Sequence, residues 1–308
     1  MQKKSIKHLI VIVGPTASGK TELSIALAHA LQCAILSADS RQFYQELSIG
    51  TAKPTENEMD GIRHYFINNL SIKNTYTAGQ FESEAMQVLE KEFAQHNFAI
   101  LVGGSGLYID AVCKGIDDLP RSIAIRNDLN KEFEQFGIEK LQLELQEIDP
   151  QYYQQCDQQN PHRLIRAIEV YRASGLQMSE LLSKTAKERP FKIHYFGIHH
   201  ERDKLYERIN LRVLNMIEIG LIKEVQSVLP YRHHQALNTV GYKEVFDYLD
   251  NTISLEEAIQ QIQQNTRRYA KRQLTWFRRE PATVWLNDTL SNNVQEIITL
   301  VKQTKNAD

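Results

Sequence analysis

At 308 residues the chain exceeds one typical domain, so it holds either two domains or one core carrying an insertion. An apolar fraction of 42% and a charged fraction of 24% exclude a disordered or collagen-like chain, and a net charge of −2 excludes a globally basic nucleic-acid binder, leaving only local patches for that role. Cys33, Cys113 and Cys156 are far apart and form no C-x-x-C pair, which argues against a disulfide framework or a cysteine zinc site and fits a reducing cytosol.

Residues 7–13 predict a buried strand. Its apolar run, Leu9 to Val13, is too short for a signal-peptide core, and no other stretch approaches the roughly 20 apolar residues of a membrane span, so a cytoplasmic protein without a membrane segment is expected. Next come Gly14-Pro15-Thr16-Ala17-Ser18-Gly19-Lys20-Thr21 and a helical period at Leu23, Ala26, Leu27, Ala30 and Leu31. Cys33 to Leu36 predicts a second strand, Phe81 to Phe93 a helix, and Phe98 to Val102 a strand ending in Gly103-Gly104. This alternation implies a parallel sheet with crossover helices. From Arg121 the texture becomes Gln- and Glu-rich and amphipathic, with no strand until Phe191 to Ile198. Residues 121–190 therefore read as an all-helical insertion into a core formed by 1–120 and 191–308. Within the insertion, Asn160-Pro161 supplies an N-cap and a first-turn proline for a helix over His162 to Ala173. Asp203 to Ile219 and Glu256 to Arg279 predict further helices, and Ala282 to Leu286 a last strand. The expected fold class is α/β, a P-loop NTPase-like parallel sheet flanked by helices.

The G-x-x-x-x-G-K-[ST] spacing of residues 14–21 is that of a phosphate cradle. Successive backbone N–H groups wrap phosphate oxygens, the helix N-terminus adds a positive dipole, Lys20 adds a charge, and the Thr21 hydroxyl can hold magnesium. A nucleotide hydrolase places an acidic residue at the end of a second apolar strand to hold its metal, but here Phe98 to Val102 ends in Gly103-Gly104-Ser105. The first acidic residue at a strand end is Asp39, which parallel topology puts beside the P-loop, either as a proton acceptor or as a cap of the following segment. Residues 267–279 collect Arg267, Arg268, Lys271, Arg272, Arg278 and Arg279 around Tyr269, Trp276 and Phe277, with no acid. Positions 268, 272, 275 and 279 share one helix face, as either a phosphate-binding stripe or a solvated surface. Arg163 and Arg166, one turn apart, read alone as surface ion pairs with residues such as Glu169. His199-His200 and His233-His234 lack carboxylate or cysteine partners at ligand spacing and read as solvated or loop histidines. These residues leave open a P-loop kinase of a small metabolite, a transferase, and a nucleotide-gated RNA-binding module without chemistry.

Taken together, Gly14 to Thr21, Asp39-Ser40-Arg41-Gln42 with Tyr44, Ile49-Gly-Thr-Ala-Lys-Pro54 and Val102-Gly-Gly-Ser-Gly-Leu-Tyr108 resemble the bacterial tRNA dimethylallyltransferases. The likeness continues through His162 to Ala167, Arg208 to Met216, Val240-Gly-Tyr-Lys-Glu244 and Arg267 to Trp276, and so spans nearly the whole chain. The resemblance implies transfer of a dimethylallyl group from dimethylallyl diphosphate to N6 of the adenine at tRNA position 37, just 3′ of the anticodon, with magnesium as cofactor and a monomer as the working form. It implies that Arg212 joins Lys20 and the loop on the leaving diphosphate. Asp39 would act as base on the amine, and Ser105 would position the reacting groups. Ser40, Arg41 and Gln42 would meet the target base or its neighbours. It also implies that Arg126, Arg163 and Arg166 contact the anticodon stem-loop, and that Arg267, Lys271 and Arg272 belong to the tRNA surface. Ser105 stands where the family most often has Thr, keeping the hydroxyl and losing a methyl. An adenylate isopentenyltransferase acting on free nucleotides is the alternative nearest in chemistry, but it would leave the insertion and the basic helix little purpose.

Overall fold

The computed structural model of the chain describes residues 6–182, 186–287 and 289–306. The chain divides into two compact units, one made of Met1–Lys114 with Glu188–Asp308 and the other of Gly115–Lys187. In the first unit β1 (His8–Val13) leads into α1 (Lys20–Leu31), and β2 (Ile35–Ser37), α2 (Glu56–Met59), β3 (His64–Tyr65), α3 (Ala78–Gln95), β4 (Phe98–Gly103) and α4 (Gly106–Lys114) follow. The second unit holds α5 (Ile123–Ile148), α6 (Pro150–Gln155), α7 (Pro161–Ser174) and α8 (Met178–Leu181). The chain returns to the first unit as β5 (Lys192–Ile198), α9 (Arg202–Glu218), α10 (Leu221–Ser227), α11 (Tyr242–Leu249), α12 (Leu255–Phe277), β6 (Val284–Leu286) and α13 (Leu290–Asn306).

The six strands form one parallel sheet in the order β3-β2-β4-β1-β5-β6, with Leu9 opposite Ala99 on one side and Ile193 on the other. Side chains alternate across a strand, and β1 is apolar at every position from Leu9 to Val13 because both sheet faces are covered. Leu9, Val11 and Val13 pack with Phe81, Ala85 and Leu89 of α3 and Ile109 and Val112 of α4. Ile10 and Ile12 pack on the other face with Leu23 and Leu27 of α1 and Ile297 and Val301 of α13. Each such fully buried side chain contributes about 1.5–3 kcal/mol, so these two layers fix the edge of the sheet from which the loops project.

In the second unit, Leu129, Leu141 and Leu145 of α5 pack on Leu164, Ile165 and Ile168 of α7. Asn160 caps α7 by accepting the His162 N–H, Pro161 takes the first turn, and Gly175 ends the helix at φ 76°. Texture set this insertion at 121–190, whereas the compact unit runs from Gly115 to Lys187. The earlier start has a cause: Arg166 donates to the carbonyls of Leu119 and Pro120, and Lys187 to that of Ile116, tying the polar segment before α5 to this unit. No helix among the described residues is long and apolar enough to cross a membrane.

Candidate active site

Strand order reverses beside β1 and β4, and in an open parallel sheet ligands bind outside the carboxyl ends of the strands at such a switch point. Three segments meet there: the P-loop after β1, Asp39 after β2 and Gly103-Gly104-Ser105 at the end of β4. They border a cavity of about 560 Å³ whose lining includes Thr16, Lys20, Thr21, Asp39, Ser40 and Arg212.

Gly19 sits at φ 90° and caps α1 without any side-chain hydrogen bond, a left-handed conformation that suits glycine and leaves the first N–H groups of the helix to a ligand. The loop is held from outside. Arg208 Nε donates to the Ala17 carbonyl at 2.8 Å, the His200 ring meets the Ser18 carbonyl at 2.9 Å, and the Thr16 N–H donates to Gln273 Oε1 at 2.9 Å. His200 is thus a loop support and not a solvated histidine. Its partner lies 182 positions away, which residue spacing cannot reveal.

Lys20 Nζ donates to the Pro15 carbonyl at 2.7 Å. Burial lowers its pKa to about 8, with the Arg212 guanidinium pushing the same way and Asp39 opposing. Arg212 is likewise lowered by burial, against the pull of Asp39 and Glu58. Two desolvated cations with Asp39 as the carboxylate they share make a site that a multiply charged anion would relieve. Along α9 the cavity wall turns apolar, with Ile209, Val213 and Met216 facing Ile262 of α12 and Val240.

In the same cavity lining, Asp39 Oδ1 accepts the Arg41 N–H at 3.1 Å, while Oδ2 makes no hydrogen bond among the described residues. One oxygen thus caps its own turn, as one of the two readings of Asp39 expected, and the other is left without a hydrogen-bond partner among the described residues. Ser105 Oγ accepts the Ser40 N–H at 3.0 Å and donates to Ser40 Oγ at 3.1 Å, so its hydroxyl orders the segment that carries Asp39. Tyr269 lines the cavity beside them, its hydroxyl pushed up to about 12 by burial and by the Asp39 charge, and so it stays a neutral donor. Arg41 and Gln42 spend their side chains on the walls. Arg41 donates to the carbonyls of Gln235 and Asn238, and Gln42 Nε2 to those of Thr51 and Ala52. Glu224 accordingly explains the Ile49-Gly-Thr-Ala-Lys-Pro54 motif: it accepts the N–H groups of Ser48, Ile49 and Gly50 and the Tyr242 hydroxyl, fixing the loop that forms one side of the cavity.

The Thr21 hydroxyl is exposed in the first turn of α1 beside Lys20, and among the described residues no cluster of three His, Cys, Asp or Glu side chains is placed to hold a metal. One hard oxygen donor at a phosphate cradle fits magnesium, which keeps several waters and takes its other ligands from substrate phosphates.

Arg268, Lys271, Arg278 and Arg279 are exposed along α12 and just beyond it, and Arg272, also exposed, lies over the Tyr269 ring at the cavity lining. Arg267 is turned inward, donating to Asn210 Oδ1 at 2.6 Å over the Tyr206 ring. In the second unit Arg163 is exposed, but Arg126 and Arg166 both bind Glu169, which is 2% exposed. Burial raises the Glu169 carboxyl, yet the hydrogen bonds from Arg126, the Ser122 N–H and Arg166 hold it below its ordinary value. Gln273 and Glu224 escaped the sequence reading, and Tyr269 and His200 were noticed there without a role in the site. Tyr269 gave its signal as an aromatic amid the basic run.

The model of the IPP transferase family matches residues 42–280. The chain is 46% identical over 297 residues to the tRNA dimethylallyltransferase of Cytophaga hutchinsonii, covering 96% of this chain and 97% of that protein. It is 47% identical over 293 residues to the enzyme of the same name from Christiangramia forsetii, covering 94% and 97%. Among solved structures, the full-length tRNA isopentenylpyrophosphate transferase of Bacillus halodurans superposes with a TM-score of 0.73 at 35% identity, covering 98% of this chain and 97% of that one. A phosphate cradle without an acidic β4 end, a lone carboxylate at the β2 end and relatives matched along almost their full length lead to one placement: this chain belongs to the IPP transferase family, among the tRNA dimethylallyltransferases.

Proposed function

We infer that the chain is a prenyltransferase acting on tRNA, moving a dimethylallyl group from dimethylallyl diphosphate to N6 of the adenine at position 37 and releasing diphosphate. The observation that carries this reading is a single cavity lined by two desolvated cations, Lys20 and Arg212, by Asp39, and by the apolar side chains of Val213, Met216 and Val240. The P-loop, Lys20 and Arg212 suit a diphosphate, and Ile209, Val213, Met216, Val240 and Ile262 suit a short prenyl chain. A kinase would need a metal-holding carboxylate at the end of β4, where Gly103-Gly104-Ser105 stands.

Breaking the allylic C–O bond sends its electron pair to the diphosphate and leaves positive charge on the prenyl carbon. Cations and N–H dipoles aimed in advance at the leaving oxygens stabilise that separation, which is the largest catalytic contribution available here. The Thr21 hydroxyl would help to hold magnesium, which would supply further positive charge to the leaving group. The N6 lone pair is delocalised into the adenine ring, so the amine needs orientation as it forms the new N–C bond and a base to take its proton. Asp39 Oδ2 is that base, and Ser105 holds it in place through Ser40. A base stacked in an anticodon loop is out of reach, so the adenine is turned out into the cavity.

The test is to incubate the protein with labelled dimethylallyl diphosphate, magnesium and unmodified tRNA, without ATP. Label on tRNA is the expected result. Label on free adenylate would point to the nucleotide-level prenyltransferase, and phosphate transfer that requires ATP to a kinase.

A further inference from the structure

Gln273 spends both ends of its amide on the two halves of the site. Its Oε1 accepts the P-loop N–H of Thr16 at 2.9 Å, and its Nε2 donates to the Gly104 carbonyl at 2.9 Å, across sequence separations of 257 and 169. The side chain is 5% exposed, so neither bond is exchanged cheaply for water, and leaving either partner unpaired carries a desolvation cost. One bond ends on the cradle for the leaving group. The other ends next to Ser105, whose hydroxyl receives the Ser40 N–H beside Asp39. The fit is close: a Cβ on Gly104 would lie 2.2 Å from the Gln273 amide nitrogen, so any side chain there displaces it.

Transfer in one site requires reacting atoms about 3–3.5 Å apart, and a misplacement of about 1 Å costs on the order of 10²-fold in rate. We propose that Gln273 is a positioning residue for the transfer step. It holds the P-loop, where the C–O bond breaks, at reacting distance from the Ser105–Ser40–Asp39 wall, where the N–C bond forms; this deepens the function inferred above and rests on it. The bridge differs from ordinary docking of α12. That docking is served one turn later by Trp276, whose Nε1 donates to Asp110 Oδ2 at 2.8 Å.

The experiment compares Gln273→Met, which keeps the length and loses both hydrogen bonds, with Gly104→Ala, which displaces the amide while leaving Gln273 in the chain. Asp110→Ala, which loosens α12 on α4 without touching the P-loop, is the control. In the full-length chain with tRNA and dimethylallyl diphosphate, Gln273→Met and Gly104→Ala should each lower kcat about ten- to a hundred-fold, with KM for tRNA within about twofold of wild type. Asp110→Ala should lower the thermal midpoint yet keep kcat within about twofold. A Gln273→Met enzyme with wild-type kcat overturns the proposal. So does an Asp110→Ala enzyme that loses as much kcat, because helix docking alone would then suffice. If the wild-type chain transfers no prenyl group, the function reading falls, and inorganic pyrophosphate decides the bridge separately. Gln273→Met should bind it at least about fivefold more weakly through the unanchored P-loop, and equal affinity refutes the bridge.

Discussion

Asp39 is oriented before any substrate arrives, since the Arg41 N–H fixes one carboxylate oxygen and leaves the other to the cavity. Removing the carboxylate should therefore act on the reaction more than on recognition: Asp39→Ala is expected to lower kcat by about 10²–10⁴-fold while changing tRNA affinity only a few-fold, as measured by single-turnover transfer and filter binding. Lys20 gives a pH signature. Its free-state value of about 8 lies well under the lysine norm because it is buried, and a bound diphosphate must raise it. Pyrophosphate affinity should hold below pH 8 and fall above it, by up to about tenfold per pH unit until the bound-state value is passed. Running Lys20→Arg in parallel cancels the titration of the ligand itself, and a wild-type profile parallel to that variant would remove Lys20 from the cradle. Both residues were legible in the sequence because each sits at a fixed offset from a strand end. Arg212 was not legible from spacing and came only from resemblance. Gln273 gave no signal at all, since a buried amide reads like any glutamine until its partners just past β4 and on the P-loop are seen.

At the scale of elements, α12 has two faces with different work. Inward, Gln273 and Arg267 meet the site and α9; outward, Lys271 remains exposed. Lys271→Ala should flatten the salt dependence of tRNA binding by about one unit of slope, whereas Arg267→Ala should act mainly through the Asn210 contact and leave the slope near wild type. A similar division separates the arginines of α7. Arg163→Ala should lower the slope without changing stability, but Arg166→Ala removes a charge-assisted bond to buried Glu169 and should cost about 1.5–3 kcal/mol in denaturant unfolding. An equal slope change in both variants would mean that Arg166 leaves Glu169 for the RNA. The apolar runs of β1 and β4 and the N-cap of α7 were readable because they are local. The two-residue β3 and the segment before α5 were not, because the first is too short to show a period and the second is defined by hydrogen bonds from Arg166 and Lys187.

For the whole molecule, a net charge of −2 means that recognition of a polyanion depends on where the cations stand and not on their number. On the function proposed above, the exposed cations of α12 would meet the phosphates of an RNA backbone and the desolvated pair at the P-loop those of a leaving group. The central claim is that the P-loop cradles a prenyl diphosphate and that Asp39 meets an adenine in RNA. The most direct measurement is to treat unmodified tRNA with the protein, dimethylallyl diphosphate and magnesium, digest it to defined fragments and locate the added mass. A single five-carbon unit on the adenine just 3′ of the anticodon, absent with Asp39→Ala, is the predicted result, and unmodified tRNA or a prenyl group at another nucleotide would contradict it.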